Sequence, residues 1–133
     1  VAMLVIQVFK YYEFRLKYAL EMAILHDAHE MELGEITYRT KVSYPTIKRA
    51  SDRSEMTAAR KLMSSAQART HRAFMLGNNK EAEVVLLADV MSCLQYVDSE
   101  ISLGNKGYLS EIRPDILDRL AKCMANMKGM ERK

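Results

Sequence analysis

Every Gly and Pro in this chain falls where an apolar 3.6-residue rhythm starts or breaks, and that punctuation limits the fold more than any other feature. Four stretches result. The first runs to about Leu33 with apolar positions Val5, Val8, Phe9, Tyr12, Leu16, Leu20, Ala23 and Ile24, and stops at Gly34. The second begins after Ser51 and Asp52, where Asp52 with Glu55 makes a capping signature, and carries Met56, Ala59, Leu62, Met63, Ala66, Ala73 and Phe74 to Gly77. The third carries Val84, Leu87, Ala88, Met91, Leu94, Val97 and Ile101 as far as Gly104. The fourth opens on Ser110 as N-cap with Pro114 close behind, then shows Ile116, Leu117, Leu120, Met124 and Met127 before Gly129. Outside an ambiguous stretch from Glu35 to Tyr44 nothing alternates as a strand does. Long amphipathic helices on short turns predict an all-α, up-down antiparallel four-helix bundle formed by one domain over residues 1–133.

The length suits one hydrophobic core. About half the residues are apolar, at 49%, so the chain has the apolar content to fold. The opening VAMLVIQVF is far short of a membrane span and lacks the basic start of a secretory signal, so a cytoplasmic protein with no membrane partner is expected. Cys93 and Cys123 sit inside helical patterns without CxxC spacing and read as reduced core residues.

Charge is distributed unevenly. Between Arg39 and Lys80 the chain holds ten Lys/Arg against two Asp/Glu, although the whole molecule carries only +3. In the second predicted helix Arg53, Arg60 and His71 recur at nearly whole turns, flanked by Lys61 and Arg72, with Arg69 nearby and few acidic neighbours one turn away. A solvated helix face is the plain reading of such a stripe; an unpaired ridge that binds a phosphate backbone is the sharper one, and it predicts nucleic acid, RNA or DNA, as the partner. Just upstream, Ile36 to Arg49 resembles a helix-turn-helix, with Thr37, Val42, Ser43, Thr46, Ile47 and Arg49 in register. That resemblance implies that Ser43, Tyr44, Thr46, Lys48 and Arg49 lie along DNA. Independently, Tyr38 and Tyr44, interleaved with Arg39, Lys41 and Lys48, are candidate stacking platforms for unpaired bases.

The second half carries another likeness. Ala88-Asp89 followed by Leu94 and Ile101, then Lys106-Gly107-Tyr108-Leu109-Ser110, then Ile116-Leu117, Leu120, Met124 and Met127-Lys128-Gly129 resembles the closing helix pair of the intervening-sequence four-helix proteins and of the accessory variability determinant proteins of diversity-generating retroelements. The resemblance implies a basic homo-oligomer that binds nucleic acid and assists a reverse transcriptase without chemistry of its own.

Catalytic patterns are sparse. No Gly-rich phosphate loop and no nucleophile with an adjacent base is present. His26-Asp27-Ala28-His29-Glu30 is the one stretch with metal-ligating residue types, since His26 with His29 or Glu30 would share a helix face, yet His26 and Glu30 one turn apart read equally as an ordinary polar pair. Sequence reading therefore expects a non-enzymatic nucleic-acid-binding protein without metal or cofactor. Its binding surface would be Arg39, Lys41, Lys48, Arg49, Arg53, Arg60, Lys61, Arg69, His71 and Arg72, and a DNA-binding regulator is the alternative.

Overall fold

The computed structural model describes residues 1–131, apart from the side chain of Tyr38. It is all-helical: α1 (Ala2–Val8), α2 (Leu16–Leu25), α3 (Glu30–Leu33), α4 (Tyr38–Ser43), α5 (Pro45–Leu62), α6 (Ser65–Leu76), α7 (Lys80–Ser102) and α8 (Gly107–Asn126). Among the described residues the sole extended pairing is an isolated bridge between Tyr12 and Glu131. No helix among them is long and apolar enough to cross a membrane.

The core gathers α1, α2, α7 and α8. Val5, Met22, Val84, Val85 and Met127 are fully enclosed, and Val8, Ala19, Leu87, Ala88, Val97, Ile116 and Cys123 join the same cluster. The long helices α7 and α8 pack along each other, and α7 also carries α1, α2 and α6. By contrast α5 rests on α3, α4 and α6 rather than on α7, so it forms an outer layer instead of one quarter of an up-down bundle.

Two of the predicted long helices are broken, each for an identifiable reason. The first is interrupted between Val8 and Leu16, where the Arg15 backbone N–H and guanidinium both donate to Glu81 at the start of α7, at 2.9 to 3.0 Å, and the Glu13 N–H donates to the Met130 carbonyl at 2.7 Å. Glu81 is buried, and its carboxyl is held below the usual carboxylate range first by the Arg15 hydrogen bond. The second is interrupted at Met63 and Ser64: Ser64 accepts from the Gln67 N–H, and the Gln67 side chain accepts from the Ser64 N–H, a complete capping box that starts α6 afresh.

Asp52 and Glu55 are therefore not at a helix start but inside α5, where Asp52 accepts from Lys48 one turn earlier. Likewise α8 starts at Gly107 rather than Ser110, which places Pro114 in the helix interior. Gly77 does end α6, in the left-handed conformation at φ 59 that a residue without Cβ adopts freely.

Burial separates neighbours that the periodic pattern does not. Met22 is fully buried, whereas Ile24, which the apolar rhythm assigns to the core, is 71% exposed. Met22→Ala is expected to cost about 2–5 kcal/mol and Ile24→Ala about 0.5 kcal/mol or less, measured as denaturation midpoints in urea. Equal losses at both positions would contradict the packing of α2.

Candidate metal centre

α2 hands over to a tight turn that presents His26, Asp27 and His29 in succession. One ring nitrogen of His26, Nδ1, lies 2.9 Å from the Ala23 carbonyl and donates to it. That bond holds Nδ1 as a donor and leaves Nε2 facing the other way. There Nε2 meets Asp27 Oδ2 at 2.7 Å and Asp89 Oδ1, from α7, at 3.8 Å. The ring is 8% exposed, and the edge of Phe74 from α6 closes its flank with ring centroids 5.8 Å apart.

Nε2 is buried and, despite its closeness to Asp27, no acceptor lies in line with it. One imidazole nitrogen and two carboxylate oxygens thus converge within 4.8 Å of one another. A divalent cation satisfies such a set: neutral imidazole and carboxylate are the donors of mixed N/O sites, and three protein ligands leave coordination positions open. The residues fit a metal ion on this ground alone.

The charges agree with that geometry. Burial by itself would lower the His26 pKa, but the Asp27 and Asp89 carboxylates outweigh it and raise the imidazole to about 9. Burial would raise Asp27, but the His26 hydrogen bond and charge, helped by the Lys41 charge, overcome it and bring Asp27 below its ordinary value. Glu30, at the start of α3, goes the other way: burial, Asp27 and Glu35 push its carboxyl up.

Behind this cluster lies a second polar group that holds the turn. His29 Nδ1 faces His71 Nε2 of α6 at 3.0 Å, and both rings are buried. Glu55 of α5, 4% exposed, accepts from Lys41 at 2.8 Å and from Ser51, with His29 Nε2 at 3.8 Å. Burial keeps both imidazoles neutral, lowering the pKa of His29 and of His71.

The ten basic-surface positions meet different fates. Arg39 is clamped by Asp115 of α8 at 2.8 Å, Lys41 by Glu55, Lys48 by Asp52 at 2.6 Å and Lys61 by Glu32 at 2.8 Å. Arg49 reaches only the Pro45 carbonyl at 3.4 Å. Arg53, Arg60, Arg69 and Arg72 have no acidic partner among the described residues. His71 is 1% exposed and so does not belong to an exposed ridge; α6 turns it toward α2 and the His26 turn. The break at Met63 and Ser64 also splits the ridge between two helices.

The supposed helix-turn-helix is two helices separated by Tyr44 alone, with Pro45 opening α5, instead of the longer turn that motif uses. Tyr44 is exposed, and the Tyr38 side chain lies outside the described residues.

Sequence reasoning missed the pairing of His26-Asp27 with Asp89. It paired His26 with His29 or Glu30 on one helix face and left any third ligand to come from elsewhere, whereas the adjacent His-Asp doublet offers both its side chains at a turn and takes its partner from a distant helix. The doublet itself was the available signal.

The raised His26 pKa makes a prediction for the metal-free protein. Because the folded value of about 9 lies above the ordinary 6.5, the contribution to stability is complete below pH 6.5 and is lost as pH rises through about 9. The shift corresponds to about 3 kcal/mol at most. NMR of the chelated chain should show the His26 ring titrating near 9, and Zn2+ should abolish that titration. A His26 that titrates at or below 6.5 and ignores Zn2+ would contradict the site.

The family model described as 5'-deoxynucleotidase YfbR-like matches residues 1–131. No curated protein and no solved structure is similar enough to the chain to count as a match. The match overturns the likeness to the intervening-sequence and accessory variability determinant proteins. The residues behind that likeness are mostly the packing positions of the α7–α8 pair, which unrelated helical folds share, and its Ala88-Asp89 pair sits mid-helix with Asp89 facing His26. The same match corrects the expectations of a non-enzymatic accessory protein, of a reverse transcriptase partner and of a DNA-binding regulator, because the family it identifies is one of enzymes. With its match running from the first residue through α8 and the His26, Asp27 and Asp89 cluster inside it, the chain belongs to the YfbR-like family.

Proposed function

We propose that this chain hydrolyses the phosphomonoester of a 5'-deoxynucleotide with the help of a divalent cation held by His26, Asp27 and Asp89. The observation that carries the reading is the buried His26 Nε2, without an aligned acceptor and next to two carboxylates. The family's description as 5'-deoxynucleotidase supplies the substrate class.

A cation at this cluster supplies positive charge against phosphate oxygens and acidifies water. The chain's own residues do the rest. His26 is oriented by the Ala23 carbonyl and backed by Phe74, so its donor nitrogen is fixed before any ligand arrives. Asp27 comes from the turn after α2 and Asp89 from α7, so the packing of α2 against α7 sets their spacing.

Glu30 is the candidate proton carrier. Burial together with the charges of Asp27 and Glu35 raises its carboxyl, which brings it nearer to the pH at which it can both take and give a proton. In the reaction water adds to phosphorus, the bond from phosphorus to the 5' oxygen breaks, and the leaving nucleoside oxygen takes up a proton. The cytoplasm, where nucleoside monophosphates occur, is the compartment that suits this activity.

The test is phosphate release from dAMP, AMP and 3'-dAMP by the purified chain with Mn2+, Co2+ or Mg2+. Activity on dAMP is expected, lost on chelation and restored by metal. Asp89→Asn should abolish metal binding and activity together. Glu30→Gln should keep the metal and lose about 10²–10⁴ in kcat. Hydrolysis that proceeds unchanged in Asp89→Asn, or a wild-type chain that releases no phosphate from any of the three with any of these metals, would overturn the reading.

A further inference from the structure

The break between α5 and α6 has a second consequence. The chain folds back at Met63 and Ser64, and the two helices line an open hollow of about 350 Å3, within the range of small-ligand sites. Arg60 projects from α5 and Arg69 and Arg72 from α6, so three guanidinium groups line one hollow. Met56 and Met63 supply an apolar wall, and buried His71 lines the same hollow.

Two observations set this place apart from a solvated helix face. Acidic side chains elsewhere in the fold clamp Arg39, Lys41, Lys48 and Lys61, yet none reaches Arg60, Arg69 or Arg72 among the described residues. Arg60, Arg69 and Arg72 are exposed, so their charges add at one hollow that an anion reaches from solvent. In addition, His71 is 1% exposed, its Nε2 is engaged by His29, and its Nδ1 is buried without a partner. A buried polar atom left unsatisfied at a cavity is where a ligand's hydrogen-bonding group is favoured.

We propose that this cavity is a second ligand site, separate from the metal centre, that takes a nucleoside triphosphate with its phosphate chain on Arg60, Arg69 and Arg72. Guanidinium forks match phosphate oxygens two at a time, and three of them suit a chain of phosphates better than a single one. Met56 and Met63 offer the polarizable surface on which a base ring rests. Through His71 and His29 the site touches the turn that carries Asp27, so occupancy would bear on the metal centre from behind. This inference does not depend on the reaction proposed above.

Isothermal titration of the intact chain in chelator tests it, with dATP, inorganic tripolyphosphate and a short single-stranded oligonucleotide as probes. One dATP per chain should bind, and should bind equally well to Asp89→Asn, whose metal centre is disabled. Arg69→Ala should weaken dATP by about tenfold, and Arg60→Ala/Arg72→Ala by more. Arg60→Lys, which keeps the charge but not the fork, should fall between wild type and Arg60→Ala.

Tripolyphosphate should bind more weakly than dATP; equal affinity would overturn the nucleotide assignment in favour of a bare phosphate trap. Absence of saturable dATP binding up to millimolar concentration would overturn the site itself, as would affinity unchanged in the arginine variants or abolished by Asp89→Asn. Oligonucleotide binding that dATP does not displace would instead make the arginines a nucleic-acid surface.

Discussion

The candidate centre depends on α2 lying directly against α7. Asp89 is far from His26 and Asp27 in sequence, and it reaches them because Ala19, Met22 and Ala23 of α2 and Val85 and Ala88 of α7 are buried in one core cluster. Small residues at such a contact let helix backbones approach closely, and a methylene added there would be felt at the carboxylate. The start of α7 is fixed independently by the Arg15 to Glu81 pair, which also ends the preceding chain excursion. Packing therefore sets the ligand spacing, and the ligands do not have to set it themselves.

Around that spacing the fold divides titratable groups into opposite states. His26, beside two carboxylates, is pushed to about 9, whereas His29 and His71, buried against each other, are pushed down and stay neutral. Three histidines within one turn and its neighbouring helix thus carry different charge at the same pH. The front of the turn holds a protonated imidazole between two carboxylates, whose Nε2 proton a cation would displace, and the back is a brace in which His29 and His71 meet beside Glu55, Lys41 and Ser51. α6 serves both sides, with Phe74 on His26 and His71 on His29.

Much of the fold was legible. The apolar rhythm from Val84 to Ile101 corresponds to α7, and the stop at Gly77 corresponds to a left-handed cap. What failed is instructive. The break before Leu16 comes from Glu81 and Met130, partners that no local pattern announces. The break at Ser64 was announced, by the Ser-x-x-Gln of a capping box, while the rival Asp52 and Glu55 pattern proved to be helix interior because both side chains have other partners.

Charge read one turn at a time made the basic stretch look unpaired. In the fold, Glu32 and Asp115 reach Lys61 and Arg39 from remote segments, and only part of the stretch keeps its excess. The metal-ligating set was the least legible element, since two of its members are sequence neighbours at a turn and the third is supplied by packing.

The central claim is that His26, Asp27 and Asp89 jointly hold one divalent cation. Pulsed electron paramagnetic resonance of the Mn2+-loaded chain, with 15N-labelled histidine, tests it most directly. The account predicts one Mn2+ per chain, with coupling to a single imidazole nitrogen that vanishes in His26→Ala and persists in His29→Ala. Absence of tight Mn2+ binding, or a nitrogen coupling that survives removal of His26, would contradict it.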